Sequence, residues 1–140
     1  MFEIKKFSFN ESDLTKQAFA IRHKVFVEEE NIDPNLEYDH EEDAHHYLLL
    51  LGGKAIATAR WRETEQGIKL ERFAVLPEFR SRGLGGIILK EVLNDVVPLE
   101  KTIYLHSQLR AVPFYERHGF VKEGNVLYEA GMAHHYMRKI

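Results

Sequence analysis

The stretch Glu71-Arg-Phe-Ala-Val-Leu-Pro-Glu-Phe-Arg80-Ser-Arg-Gly-Leu-Gly-Gly86, followed by an apolar helical pattern, decides the fold. It predicts a strand, then a turn with two arginines and three glycines, then a helix. The glycines allow a ligand to approach the backbone closely, and a helix N-terminus offers unpaired N–H donors and a positive dipole. Arg80 and Arg82 add charges that can pair with phosphate oxygens. The stretch therefore predicts a diphosphate site, with a purely structural glycine turn as the alternative.

Two commoner phosphate-binding loops are excluded by spacing. A Walker loop needs Gly-Lys-Ser/Thr at its end, but Ile87 and Ile88 follow Gly86 here. A dinucleotide fingerprint needs a third glycine three residues after Gly85, where this chain has Ile88. The remaining motif is Arg-x-x-Gly-x-Gly at residues 80–85.

Composition limits the class of protein. A chain of 140 residues with 44% hydrophobic and 29% charged residues is typical of one globular domain, residues 1–140. The formal net charge of −3 and the lack of a basic run argue against a nucleic-acid partner. The absence of cysteine excludes disulfides, thiol nucleophiles and cysteine-ligated metals. With no signal-like or membrane-spanning apolar segment, we expect a cytoplasmic protein without a membrane partner.

The N-terminal half predicts a strand, a helix and a hairpin. Residues 2–9 form the strand, and Asn10 or Ser12 is the expected N-cap of an amphipathic helix. A polar, acidic loop follows over residues 28–43. Gly52-Gly53 then joins strands 46–51 and 54–62 as a hairpin.

The C-terminal half alternates strands and helices. We expect a strand over residues 67–76, a helix from Leu84 to just before Pro98, a strand over 101–107, a short helix over 112–117, and two strands after Gly119. This order indicates an α/β fold of the α+β kind, a mixed sheet with helices on both faces. The glycine turn lies at the C-terminal end of a strand, where such sheets commonly bind ligands.

A second motif lies further along the chain. Arg80-x-x-Gly83-x-Gly85 after Val75-x-Pro77, combined with Ala111-x-x-Phe114-Tyr115-Glu116-x-x-Gly119-Phe120, resembles the GNAT superfamily of N-acetyltransferases. The flanking segments Ile21-Arg22-x-x-Val25-Phe26-Val27-x-Glu29 and Ala130-Gly-Met-Ala-His134 resemble its small bacterial ElaA-like branch. Two positions depart from the family's pattern. Gln108 stands where many members have asparagine, and Ala133 stands where the ElaA-like branch often has proline.

The resemblance implies a fold and a donor. The fold is GNAT-like: a mostly antiparallel central sheet with one parallel strand pair at the cofactor cleft. The implied donor is acetyl-coenzyme A. Its pyrophosphate would be bound by the backbone amides of residues 80–85, and its pantetheine arm would pair with strand 73–75. No metal is implied. The implied cofactor-binding residues are Phe73, Ala74, Val75, Arg80, Ser81, Arg82, Gly83, Leu84, Gly85, Gly86, Gln108, Phe114 and Tyr115.

Acetyl transfer to an amine requires two proton transfers. An alkylamine with a pKa near ~10.4 must lose a proton before it can attack, and the departing sulfur benefits from gaining one. Tyr115, at the family's tyrosine position, is the expected general acid. Glu71 is the first candidate for the base, directly or through water, with partial burial expected to raise its pKa. His106 and His134 are the alternatives, and a backbone N–H near Val75 is the family's expected oxyanion donor.

The segment Asp39-His-Glu-Glu-Asp-Ala-His-His46 suggests a metal site at first sight. It contains no His-Glu-x-x-His motif, and His45 and His46 face opposite sides if they begin a strand. We expect a solvated acidic loop, or one that attracts a cationic amine. By resemblance alone, Arg22, Glu29 and Asp43 line the acceptor side.

Three classes of function remain open from the sequence. The leading hypothesis is an acetyl-CoA-dependent N-acetyltransferase using direct attack in a ternary complex, because no cysteine is present to carry an acetyl group. A non-catalytic acyl-CoA-binding or regulatory module, and an interaction protein with a structural glycine turn, are the alternatives. The acceptor is unidentified, with a small amine favoured over a protein. The sequence leaves the oligomeric state open, with a homodimer as one possibility because many members of the family pair through their C-terminal strands.

Overall fold

A computed structural model describes the backbone of residues 1–140 and every side chain except that of Leu36. Seven strands form one sheet, and their bounds are β1 Phe2–Phe7, β2 His45–Leu51, β3 Lys54–Thr64, β4 Gly67–Val75, β5 Ile103–Gln108, β6 Phe120–Glu129 and β7 Met132–Lys139. The α-helices are α1 Ser12–Arg22, α2 Pro34–Glu37, α3 Leu84–Val96 and α4 Val112–Glu116. The predicted α+β fold is confirmed.

The strand order is β1-β2-β3-β4-β5-β7-β6, and only β4 and β5 are parallel. Their pairing covers three residue pairs, the last being Leu70 with Leu105. A bulge then places Arg72 at a φ of 59° and breaks the register of β4 with β3. Because a bulge bends its strand, β4 and β5 separate beyond Leu70 and a cleft opens between them.

Each face of the sheet has its own hydrophobic core. On one face, α3 buries Leu84, Ile88, Leu89, Val92 and Val96 against alternate residues of β2, β3 and β4. On the other face, α1 packs Ala18 and Ile21 on Leu48 and Leu50 of β2. The alternation along β2, with Tyr47 and Leu49 on the α3 face, is the period-two pattern of a strand buried on both sides.

Helix α1 differs from its prediction at both ends. Its N-cap is Glu11, without a side-chain cap bond, so the expected cap at Asn10 or Ser12 is wrong. At its C-terminal end the helix continues as a π-helix, His23–Glu29. Glu30, the residue that follows the π-helix, lines the cleft. No helix in the described part of the chain is long and apolar enough to cross a membrane.

The acidic segment is structured rather than solvated, which corrects that expectation. It contains α2, capped by the Asp33 carboxylate accepting from the N–H of Asn35, and a 3₁₀ turn at Glu41–Asp43. Glu37 is 2% exposed, and its carboxylate pairs with the Arg22 guanidinium at 2.8 Å. Glu41 pairs with both Arg22 and Arg60. The acids therefore neutralise two buried arginines, and this network anchors the segment to the sheet.

Candidate active site

The opening between β4 and β5 is a cleft of about 1130 Å³. The glycine turn and the start of α3 form one wall, and β5 with α4 forms another. Val25 and Phe26 of the π-helix, and Glu30 directly after it, also line the cleft. At the inner end of the cleft, Glu71 and His106 are the first residues beyond the last β4–β5 pair, and both line it.

The glycine turn has the geometry that an anion cradle requires. Gly83 is the N-cap of α3 with a φ of 74°, a conformation that glycine adopts without the usual steric cost. Its carbonyl accepts from the N–H of Ile87, so α3 begins directly after it. A Cβ on Gly86 would lie 3.1 Å from Nε2 of His118, and one on Gly85 would lie 3.5 Å from the Phe114 ring. The turn thus packs closely on α4 while its helix N-terminus faces the cleft.

The side chain of Arg80 is engaged by the protein itself. Its two terminal nitrogens bond both carboxylate oxygens of Glu29, at 2.6 and 2.8 Å, and its Nε bonds the Val75 carbonyl. The hydrogen bond to Glu29 raises the pKa of Arg80, and the same bond lowers the pKa of Glu29. Glu29 is therefore the partner of a predicted ligand-binding arginine, and its own side chain does not line the cleft.

Gln108 and Glu30 close the cleft on its other side. The amide nitrogen of Gln108 donates to Glu30 Oε1 at 2.7 Å, and Arg110 pairs with the other carboxylate oxygen. Gln108, at the position where the family often has asparagine, thus connects β5 to the end of the π-helix. Sequence reasoning missed Glu30, because nothing in its local sequence indicates a partner 78 residues away.

The edge of β4 beyond Leu70 is open toward β5. Phe73, Ala74 and Val75 lie on this edge, and β4 pairs with β3 on its other side. In the described structure no strand pairs with the β5-facing side of these residues. Because an open strand edge binds an extended chain of amides, it fits a pantetheine arm.

Tyr115 is held among aromatic rings. It meets Phe73, Phe114 and Phe120 edge-on, with ring centroids 6.2, 5.0 and 5.9 Å away. Its hydroxyl makes no hydrogen bond to any of the described residues, and burial raises its pKa. Since a raised pKa keeps the phenol protonated, Tyr115 is suited to donate a proton.

Glu71 does not have the expected pKa. Burial alone raises it, but the charges of Arg60, Lys69, Arg72 and Arg62 outweigh burial and lower the pKa to about 2. Its Oε1 lies 2.8 Å from Arg60 and 2.7 Å from Arg62. The expectation of a raised pKa is therefore wrong, because cations on β3 surround this carboxylate. Its assignment as the general base stays a prediction. A carboxylate whose charged form is so strongly stabilised is a weak base.

The lowered pKa of Glu71 makes stability depend on pH. The stabilisation is complete above the unfolded pKa of about 4.3 and is lost as pH falls toward about 2. A shift of this size corresponds to about 3 kcal/mol of unfolding free energy. We expect urea unfolding between pH 6 and pH 2.5 to show this loss in wild type, and a shallower pH dependence in Glu71→Gln. Glu65→Gln, which changes an exposed glutamate in the turn between β3 and β4, should retain the wild-type slope; equal slopes in all three proteins would contradict the assignment.

Three residues expected on the acceptor side, Arg22, Glu29 and Asp43, do not line the cleft. Arg22 is 1% exposed and enclosed by Glu37 and Glu41, with Phe19 and Tyr38 rings against its guanidinium. Asp43 is exposed on the 3₁₀ turn, 4.0 Å from His40. Their acceptor-side placement, carried over from the resemblance, is therefore corrected.

His45 and His46 face opposite sides, as predicted. His45 stacks on Trp61 with ring centroids 3.9 Å apart, whereas His46 is buried against Phe7, and burial lowers its pKa. Nε2 of His46 lies 3.0 Å from the Glu41 carbonyl. Among the described residues, no group of three or more His, Asp or Glu side chains is arranged to hold a metal ion.

His106 and His134 both line the cleft, and the structure adds two residues that sequence reasoning missed. Glu129 Oε1 lies 3.1 Å from His106 Nδ1, and Oε2 lies 4.0 Å from His134 Nε2. Lys69 bridges Glu129 and Glu71 at 3.5 and 3.4 Å. The only sequence signal for Glu129 was its place just before Ala130, in the branch-like C-terminal segment.

Comparison with known proteins identifies the family. The acetyltransferase (GNAT) domain family matches residues 10–140, so the chain belongs to the GNAT family of acetyltransferases. It is 38% identical over 133 residues to the uncharacterized N-acetyltransferase YjcF of Bacillus subtilis, covering 93% of this chain and 94% of YjcF. The family and this relative support acyl-CoA-dependent acyl transfer by an N-acetyltransferase.

Solved structures share the fold. Escherichia coli ElaA superimposes with a TM-score of 0.88 at 23% identity, with both chains fully covered. PaiA N-acetyltransferase from Thermoplasma acidophilum, solved in complex with coenzyme A, superimposes with a TM-score of 0.72 at 16% identity, covering 100% of this chain and 99% of that one. The likeness to ElaA agrees with the branch indicated by the flanking motifs.

Proposed function

We propose that this protein transfers an acetyl group from acetyl-CoA to a small amine by direct attack in a ternary complex. The observation that carries the proposal is the cleft itself. It has an anion cradle at residues 80–86 on one wall and the open edge of β4 beside it. Tyr115, whose pKa is raised by burial, also lines the cleft.

The residues divide between binding and chemistry. The N-terminal amides of α3, with Arg80, Ser81 and Arg82, fit a diphosphate, and Phe73–Val75 fit the pantetheine arm. When bound, acetyl-CoA supplies an activated thioester carbonyl. In this proposal Tyr115 donates a proton toward the departing sulfur, and a backbone N–H near Val75 donates to the oxyanion. Phe114 packs between Tyr115 and His118 and keeps α4 against the glycine turn.

Glu29 competes with the cofactor for Arg80 in this proposal. Because the carboxylate both occupies Arg80 and repels a diphosphate, Glu29→Gln should bind acetyl-CoA roughly two- to fivefold more tightly, the size expected for an exposed ion pair. Calorimetric titration measures this change. Glu28→Gln, which removes the neighbouring charge that pairs with His23, is the matched control and should leave the affinity unchanged. Weaker binding by Glu29→Gln would mean that Glu29 instead presents Arg80 to the ligand.

The activity is tested by following free CoA release with acetyl-CoA and a panel of amines. The panel contains alkylamines, polyamines, amino sugars, amino acids and a peptide with a free N-terminus. We expect release that depends on both substrates, with one or more small amines preferred over the peptide. Acetyl-CoA binding without release across the panel would instead support a non-catalytic acyl-CoA-binding module.

A further inference from the structure

The inner end of the cleft holds an imidazole beside a carboxylate. His106 is the first residue of β5 beyond the last pair with β4, and its side chain is 20% exposed. Its Nδ1 lies 3.1 Å from Oε1 of Glu129 at the end of β6. The pair thus lies where β4 and β5 separate, in the same cleft as Tyr115.

The carboxylate determines which nitrogen of His106 carries the proton. The hydrogen bond from His106, together with the charge of Lys69, lowers the pKa of Glu129 to about 2. An ionised carboxylate only accepts hydrogen bonds, so Nδ1 must be the donor. The neutral imidazole then keeps its lone pair on Nε2. A carboxylate in this position also stabilises the imidazolium that forms when Nε2 takes a proton.

Glu71, the other candidate base at this end of the cleft, already forms ion pairs with cationic side chains. Arg60, Arg62 and Lys69 contact Glu71 within 3.4 Å, so its negative charge is shared among three cations. A group held so firmly in its charged form has little tendency to accept a proton. His106, by contrast, contacts one carboxylate and two tyrosine rings that stack on each other, Tyr104 at 5.9 Å and Tyr136 at 6.1 Å.

We propose that His106, oriented by Glu129, is the general base that deprotonates the amine acceptor. This inference rests on the proposed acetyl transfer and names a base for it. One ammonium proton passes to His106 Nε2 and on to water, and the freed lone pair forms the N–C bond. The C–S bond then breaks with its electrons on sulfur, which takes the Tyr115 proton. The extra proton on the cationic nitrogen of the adduct restores the tyrosine through solvent, and the product amide keeps one N–H. Glu129 is a positioning residue.

Kinetics with two probe amines test the assignment. A primary alkylamine is protonated at pH 7, whereas methoxyamine is not. His106→Asn should slow transfer to the alkylamine about 100-fold, the lower range for a general base, and slow transfer to methoxyamine much less. Its stabilisation by acetyl-CoA should stay at the wild-type level. His45→Asn, on the far side of the sheet against Trp61, is the histidine control. Equal losses with both amines, or none, would overturn the proposal.

The pH profile of kcat/KM distinguishes a positioning role of Glu129 from a merely structural one. The titratable and charged groups around the pair are Lys69 on β4, Tyr104 on β5, and His134 and Tyr136 on β7. Because Glu129 favours the imidazolium, Glu129→Gln should move the acidic limb of kcat/KM to lower pH and reduce kcat, with KM for acetyl-CoA unchanged. An unmoved limb would contradict a positioning role.

A measurement without turnover distinguishes this proposal from the proposed function. Long-range ¹⁵N–¹H correlation spectra of labelled protein, with the His106 signals assigned from His106→Asn, report which ring nitrogen is protonated. We expect the proton on Nδ1 near pH 8, and a mixture of tautomers in Glu129→Gln. A proton fixed on Nε2 would overturn the base assignment even if acetyl transfer is observed. Absence of transfer by the wild type would overturn the proposed function and the base with it, whatever the tautomer.

Discussion

Tyr115→Phe should lower the turnover of acetyl transfer about 100-fold or more while leaving acetyl-CoA binding nearly intact. The substitution removes only the hydroxyl, so the edge-on contacts with Phe73, Phe114 and Phe120 remain. General acid catalysis contributes roughly 10²- to 10⁴-fold, which sets the expected loss. Steady-state CoA release gives kcat, and calorimetry gives the affinity.

The control for this variant is Tyr128→Phe, because Tyr128 is 75% exposed on β6. It should retain the wild-type rate. Since an acid must be protonated to act and burial raises the pKa of Tyr115, the wild type should remain active above the usual tyrosine range near ~10. A wild-type rate in Tyr115→Phe would remove the acid role and leave Tyr115 as a packing residue.

Arg22→Met should destabilise the fold by about 3–5 kcal/mol, the cost of breaking a buried ion pair. The variant keeps an apolar side chain against Phe19 and Tyr38 but leaves Glu37 buried with only Arg72 and Glu41 with only Arg60. Urea unfolding measures the change in free energy. The double variant Arg22→Met/Glu37→Gln should recover part of the loss, because it removes the uncompensated carboxylate.

Lys101→Met is the matched control, since it breaks an exposed pair with Glu63 and should cost less than about 1 kcal/mol. Arg22→Met also separates a structural role from the acceptor role suggested by resemblance. We expect KM for the amine to be unchanged in the folded protein. A raised KM with wild-type stability would return Arg22 to the acceptor site.

The features that sequence predicts well here are local. Gly83 could be assigned to the start of α3 because the turn, the helix pattern and the motif lie within one short segment. The strand alternation likewise placed His45 and His46 on opposite faces. The parallel strand pair was predicted from the family resemblance rather than from periodicity, and the order of the strands was not predicted.

The features that sequence did not predict depend on contacts between distant segments. Glu71 has a lowered pKa because β3 brings Arg60 and Arg62 beside it, and strand register is not written in the local pattern. The acidic segment was predicted to be solvated, because its arginine partners lie on α1 and β3, far from it in the sequence. Glu129 likewise became visible as the partner of His106 only once β6 and β5 were placed on either side of β7.

Titration of the protein with acetyl-CoA, followed by calorimetry and thermal unfolding, tests the central claim most directly. We predict saturable binding with one molecule per chain. At a ligand concentration about 100 times Kd, the gain in stability should be about 2.7 kcal/mol, or a rise in Tm of roughly 5–10 °C. If no heat of binding is measured and Tm is unchanged at acetyl-CoA concentrations far above micromolar, the assignment of the cleft as a coenzyme A site is contradicted.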